Sequence, residues 1–250
     1  MRHSCVLVPL VFFLFSCAGK LPPIAAGHPD IYSVLTRAMQ TQQGFASVKA
    51  RARVSIKSPE GKIVFDQVAT VVRPEFLTVA VFAPFGEMLA KIVSNGENVR
   101  MKTNWEELIF ENTEDFRLSY LYPGLPPQLG IGEVVNFLLG GSPFVIPQKD
   151  YSARAGKKEG EIIFVFSERT PVEVTVDSRR NFITRVKGEL VGGQKAKIEF
   201  SLLKRIARNT YFPRKLLFET ADYSLSVNYD ENLQVNSKAD LSLFRPVEER

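Results

Sequence analysis

The sharpest pattern in the chain runs from Val48 to Lys57, where every even position is apolar and every odd one polar. Period two predicts a strand with one face packed and the other in water, as antiparallel sheets allow. Ser58-Pro59-Glu60-Gly61 predicts a turn, and Ile63–Val72 a returning strand. Arg73-Pro74 breaks that strand; Phe76–Phe82 and Met88–Val93 follow, with Ala83-Pro84-Phe85-Gly86 between them. Asn95-Gly96 is a hairpin signal, leading to strands over Asn98–Thr103 and Glu107–Phe110. Beyond Pro147 the alternation resumes over Glu161–Ser167, Val172–Val176, Phe182–Leu190, Lys195–Leu203, Arg214–Glu219 and Tyr223–Tyr229, with a last piece near Leu241. Glycine- and asparagine-containing turns separate several of these runs.

Two stretches follow the helical period instead. Asp30 can cap a helix whose apolar positions are Ile31, Val34, Leu35 and Met39, ending near Gly44. Residues 131–139 predict a short, strongly apolar helix closed by Gly140-Gly141, after an irregular proline-rich stretch, Tyr120–Pro127. Roughly a dozen strands with short connections suit a sandwich, a closed barrel or an open curved sheet. A small closed barrel fills itself with side chains and has no need of so apolar a helix. The expected fold class is therefore mainly β: an incomplete, half-open antiparallel β-barrel with covering helices.

The first residues change the picture of where the protein resides. Arg2 precedes an apolar run, Cys5–Phe15, of roughly ten residues, about half of what a membrane-spanning helix requires. It has the length of a signal-peptide core and ends Leu14-Phe15-Ser16-Cys17-Ala18-Gly19. These residues resemble the bacterial lipobox, which implies lipid transfer to the Cys17 thiol, cleavage after Ser16 and acylation of the new amino terminus. Cys5 would leave with the signal, so Cys17 would be the one cysteine of the mature chain, unable to form an internal disulfide. Several acyl chains anchor stably where one is marginal. The expected organisation is a signal peptide (1–16), a lipidated, proline-containing tether (17–29) and a single domain (30–250). Ala18 after the cysteine is compatible with outer-membrane sorting under the enterobacterial rule.

Composition narrows the partners. Hydrophobic residues at 45% and charged residues at 24% describe an ordinary globular protein. The net charge of +5 falls to +4 without Arg2, too little to argue for nucleic acid. No second apolar run is long enough to span a membrane. The chemistry of catalysis is sparse: His28, in the tether, is the only histidine after the signal segment, so no triad, Cys–His pair or zinc set can be assembled. Glu106-Glu107 and Glu111/Glu114-Asp115 read as solvated acids at strand ends and turns. Lys204-Arg205, Arg208 and Arg214-Lys215 read as an edge that discourages strand pairing. No catalytic residue, metal site or cofactor is expected.

Several features together resemble the LolA/LolB-like lipoprotein carriers, especially LolB-like outer-membrane lipoproteins. They are the order of lipid cysteine, short helix and alternating strand Val48–Ile56, then the strand ending Arg73-Pro74. The loop Val81-Phe82-Ala83-Pro84-Phe85-Gly86, the helix ending Leu138-Leu139-Gly140 and the closing phrase Phe244-Arg245-Pro246 add to them. Tryptophan-rich early strands found in LolB are absent; Trp105 is the sole tryptophan. The resemblance implies a curved sheet whose concave face, covered by helices, takes acyl chains. Val54, Phe65, Val79, Val134, Phe137 and Leu138 are the expected lining. It also implies a loop at Pro84, Phe85 and Gly86 that touches lipid or a partner, unless Phe85 folds back as a hairpin plug. The expected function is that of a periplasm-facing, outer-membrane-anchored lipoprotein that binds acyl chains or lipoproteins, delivered by a periplasmic carrier protein, and assists their localisation. A structural or envelope-assembly lipoprotein using the same fold as a protein-binding module is the alternative.

Overall fold

The computed structural model describes residues 23–24, 29–122, 129–147, 149–167, 170–190 and 193–244. Cys17, Arg245 and Pro246 lie outside them. The strands are β1 (Pro23–Ile24), β2 (Ser47–Ser58), β3 (Gly61–Val72), β4 (Phe76–Phe82), β5 (Met88–Asn95), β6 (Val99–Thr103) and β7 (Glu107–Phe110). Then come β8 (Tyr151–Ala155), β9 (Glu161–Phe166), β10 (Val172–Asp177), β11 (Phe182–Glu189), β12 (Lys195–Ala207), β13 (Thr210–Glu219), β14 (Ser224–Tyr229) and β15 (Gln234–Val235). All belong to one 15-stranded antiparallel sheet in the order β1-β8-β9-β10-β11-β12-β13-β14-β2-β3-β4-β5-β6-β7, with β15 also on β2. Strands β1 and β7 are its unpaired ends, so the sheet curves without closing.

The alternation dictates which face curves inward. On β2 the even residues Val48 to Ile56 are buried, and antiparallel register carries the inward row across both neighbours: Val54 opposes Phe65 on β3 and Val227 on β14. That row runs on through Leu216 and Phe200, while a parallel inward row joins Ala50, Ala69, Val79 and Ile92, and another joins Ile56, Leu225, Phe218, Ile198 and Val186. The outward face holds charged ladders, such as Arg154–Glu173–Lys187 and Arg185–Glu199–Lys197. These pairs are largely solvated and each adds at most about 1 kcal/mol.

Two helices lie on the inward face. Helix α1 (Pro29–Gln43) rests on β10 and β11, burying Leu35, Ala38 and Gln42, while Ile31, Val34 and Met39 pack at its margin. Helix α2 (Ile131–Leu138) crosses β3 and β4 and buries Ile131, Val134, Val135, Phe137 and Leu138.

The structure departs from the sequence pattern in four places. The segment near Leu241 is not a strand but a short 3-10 turn, Leu241–Phe244, because the Asp240 side chain accepts from the Ser242 N–H and starts the turn. That turn seats Phe244 edge-on against Phe76, 5.5 Å away. Strands β12 and β13 run on to a tight hairpin at Arg208-Asn209, and Pro213 lies within β13 opposite Leu203. Leu202, at φ 53, kinks β12 just there. Strand β8 carries no clear period in the sequence because at this margin of the sheet only Ala153 is fully buried. Finally, Pro23–Ile24, within the expected tether, pairs with Ala153 and Arg154 of β8. Proline is tolerated at a sheet edge because its outer side needs no donor.

The C-terminus of α2 ends in a Schellman arrangement. Gly140 N–H donates to Phe137 O and Gly141 N–H to Asn136 O, both at 2.8 Å, with Gly140 at φ +76. Two further carbonyls are satisfied from outside the helix: the Tyr229 hydroxyl donates to Leu138 O (2.8 Å) and Gln42 Nε2 to Gly140 O (2.8 Å). Tyr229→Phe would strand a buried carbonyl and should lower unfolding stability by about 1–3 kcal/mol in urea titration, with the far-UV spectrum unchanged.

Candidate functional site

The interior of the curved sheet is the candidate site, and its contents follow from the strand register. Val54, Phe65, Val79, Val134, Phe137 and Leu138 all belong to one continuous apolar cluster and are each at most 7% exposed. The first three come from the sheet and the others from α2, so the expected lining is brought together. In this state, however, these residues are buried against other described side chains. Segment 116–122 adds Phe116, Leu121 and Tyr122, all buried, to the same cluster. Tyr122 stacks on Phe65 at 6.4 Å between ring centres. On the other side, Phe45 meets Phe212 edge-on at 5.1 Å, and Phe212 continues to Tyr229.

A few polar groups punctuate this wall, and the sequence pattern missed them. Gln67 stands at an inward position of β3, fully buried, and its Oε1 accepts from the Tyr122 hydroxyl at 2.9 Å. Its Nε2 has no partner, nor does the hydroxyl of Tyr223. Burial pushes the hydroxyls of Tyr122, Tyr223 and Tyr229 well above the usual tyrosine range. They stay protonated at ordinary pH, and Tyr122 and Tyr229 act as donors. Arg73 donates to Phe45 O (2.9 Å) and to Asn136 Oδ1 (2.9 Å), while Asn136 Nδ2 donates to Ser142 O (2.7 Å). Half-burial lowers the Arg73 guanidinium from its ordinary value through lost hydration. With Gln42 and Tyr229, these bonds fix the C-terminal end of α2. At its N-terminal end the one polar tie of this kind among the described residues is Gly130 N–H to Glu133 Oε2, at 3.0 Å.

Among the described residues, clefts open at the margins of the sheet. One of about 280 Å³ lies where the ends of α1 and α2 meet β11, between Met39, Gln42, Asn136, Phe144 and Ile183. A second, of about 620 Å³, lies at the ends of β10–β13, lined by Val165, Val172, Gly188, Ala196 and the stems of Lys187 and Lys197. Gly188 is required there: a Cβ would come within 2.9 Å of the Phe144 ring. A glycine inside a strand signals such a close approach, the one clue to this contact that the sequence carries. Among the described residues no cluster of His, Cys, Asp and Glu could hold a metal ion, and no helix is long and apolar enough to cross a membrane.

The loop at Pro84, Phe85 and Gly86 sits apart from the interior, at the rim. Gly86 N–H donates to Ala83 O (2.9 Å) and Ala83 N–H to Glu87 O (2.8 Å), with Gly86 at φ +87. This tight turn directs Phe85 away from the sheet, 99% exposed. It does not fold back as a plug.

No protein family model matches the sequence, and no curated protein matches it. Solved structures match by shape. A LolA superfamily protein from Nitrosomonas europaea aligns over 86% of this chain and 96% of its own, with a TM-score of 0.55 at 14% identity. The fold is that of LolA. A domain assigned to outer-membrane lipoprotein sorting, from Vibrio parahaemolyticus, aligns over 85% of this chain and 95% of its own (TM-score 0.55, 9% identity). A DUF1329 family protein from Desulfovibrio piger gives a TM-score of 0.57 at 11% identity, over 86% and 95% of the two chains. Agreement in shape at such low identity fits a LolA-like sheet specified by alternation and register and not by particular side chains.

Asn136→Ala removes both the acceptor of Arg73 and the donor to Ser142. It should cost about 2–3 kcal/mol in denaturant titration. It should also speed amide exchange selectively over 131–139, whereas uniform acceleration across the sheet would show that Asn136 does not fix α2 in particular.

Proposed function

We propose that this protein is a lipid-anchored envelope lipoprotein that holds acyl chains, free or on lipoproteins, within its curved sheet and assists their placement in the outer membrane. The observation that carries the reading is the construction of the interior. An open sheet presents a largely apolar wall, and part of its cover is a short apolar helix tied by polar bonds chiefly at one end. The LolA-like fold supports it, as does the sorting role assigned to the Vibrio relative. An acyl chain that takes the place of α2 or of segment 116–122 gains about 0.8 kcal/mol for each methylene removed from water. Entry then requires α2 to swing about its C-terminal bonds to Gln42, Tyr229 and Arg73. Transfer of this kind needs no covalent step, so the protein acts without catalysis and without a cofactor.

Anchoring would occur through the acylated Cys17, with the domain facing the periplasm and a soluble periplasmic carrier handing over the cargo. The exposed Phe85 suits release: an aromatic tip held in water can enter the lipid at the moment of delivery. One observation favours the alternative, a protein-binding module in envelope assembly: the candidate lining is fully packed in the state described here.

Native mass spectrometry of the mature chain separates the two readings. Co-purified acyl lipid is expected of a carrier, and a chain that stays free of lipid when offered an acylated peptide favours the module. Cys17→Ser should abolish palmitate incorporation and membrane retention. Phe85→Glu should leave cargo binding intact and slow release to vesicles by roughly tenfold, equivalent to about 1.4 kcal/mol. Release at the parent rate would remove the loop from the mechanism.

A further inference from the structure

A second exposed aromatic residue, distant in sequence, stands on the turn neighbouring that of Phe85. Strand β5 pairs with β6 with Ala90 opposite Thr103, which places the β4–β5 and β6–β7 turns on the same rim of the sheet. The two turns are joined directly: Asn104 Nδ2 donates to Glu87 Oε1 at 3.1 Å. Trp105 occupies the tip of the second turn and is 87% exposed; Met88, at the foot of the first, is 45% exposed.

The turn carrying Trp105 is closed by hydrogen bonds like its neighbour. Thr103 N–H donates to Glu106 O (2.9 Å), and the Thr103 hydroxyl oxygen accepts from the N–H groups of Trp105 (3.2 Å) and Glu106 (3.1 Å). Backbone donors satisfied within the turn remove the main penalty for bringing a loop into a water-poor layer. Phe110, Phe116 and Tyr120 form an aromatic cluster at the adjoining edge, yet the indole stays outside it. A tryptophan held in water by a rigid turn needs an external environment that accepts both a large apolar ring and an N–H donor. The headgroup–acyl boundary of a bilayer is such an environment.

We propose that Trp105 and Phe85 form a two-pronged membrane contact, in which Trp105 seats at the phospholipid headgroup boundary beside the Phe85 tip. Two prongs on adjacent hairpins fix the tilt of the domain on the surface, which a single tip leaves free. Glu87 and Glu106 flank the prongs along the chain, and Glu107 is paired with Arg100, so the contact draws on ring insertion and not on attraction to anionic lipid. The occupant is therefore a zwitterionic phospholipid surface. This inference places the sheet's delivery rim and rests on the membrane-facing role proposed above.

Trp105 is its own reporter, being the only tryptophan in the chain. The full chain, returned from detergent into phosphatidylcholine vesicles, should show blue-shifted emission. Lipid brominated near the headgroups should remove about half of that emission, as for an interfacial indole, with little change on adding salt. The double variant Trp105→Phe, Phe85→Trp moves the reporter to the other prong and should be quenched equally. Water-like emission, open to acrylamide in the presence of vesicles, overturns the proposal. Shielding that appears only when a second protein is added overturns it too, in favour of a protein-docking tip. Quenching by lipid in a chain that never carries acyl cargo would sink the carrier reading while leaving the two-pronged contact standing.

Discussion

An open sheet cannot bury its own concave face, and every other feature of this protein answers that constraint. The alternation on β2 and its neighbours produces a wall of Val, Ile, Leu and Phe side chains that water would wet if nothing else lay there. Strand pairing cannot cover it, because the ends of the sheet, β1 and β7, do not meet. The cover must come from elements that satisfy their own backbone, which means helices. A helix laid on an apolar wall leaves unpaired carbonyls at its C-terminus, and these set the few polar residues that the interior tolerates. Tyr229 and Gln42 serve the end of α2 directly, while Arg73 and Asn136 brace the turn that follows it.

The same arrangement distributes rigidity unevenly. Side-chain bonds from β14, α1 and the β3–β4 corner converge on the C-terminal end of α2, whereas its N-terminal end depends on packing and on Glu133. Burial near zero for Val134, Val135 and Leu138 means that moving the helix exposes apolar wall unless something apolar replaces it. On the carrier reading proposed above, a cover of this kind would open for an apolar guest and stay shut against water. The polar latch between Tyr122 and Gln67 adds selectivity of a different sort, since parting those groups leaves a buried acceptor and a buried donor that a guest with its own polar atom could satisfy.

Much of the architecture was legible in the chain because period-two alternation and glycine-marked turns are local signals. The pairs β2–β3, β4–β5 and β10–β11 and the two helices can be read from such signals alone, and so could the half-open class, once the apolarity of residues 131–139 was weighed against what a closed barrel needs. What escaped was set by partners distant in sequence. Strand β8 has weak alternation because it lies next to the margin of the sheet, and β15 is too short to show a period. Gln67 looks like an interruption in an apolar row until Tyr122 is seen beneath it. Of the candidate site, the lining residues could be gathered from parity along each strand, since inward positions recur at every second residue. That they are already packed by segment 116–122 could not, because Tyr120–Pro127 carries no periodicity at all. Nor could the adjacency of Trp105 and Phe85, which depends on the β5–β6 register.

The pairing of Pro23–Ile24 with β8 bears on how weak the rim contacts can be. Five residues separate Cys17 from Pro23, and fully extended they span about 17 Å, against roughly 40 Å for a free stretch as long as 18–29. For a chain acylated at Cys17, so short a leash keeps the domain within one molecular diameter of the bilayer. Short tethers of this kind produce local concentrations on the order of millimolar. Under that condition a surface contact need have little affinity of its own to be occupied most of the time. It can then let go quickly, and a domain that must touch, deliver and withdraw is better served by two small aromatic prongs than by a broad adhesive face.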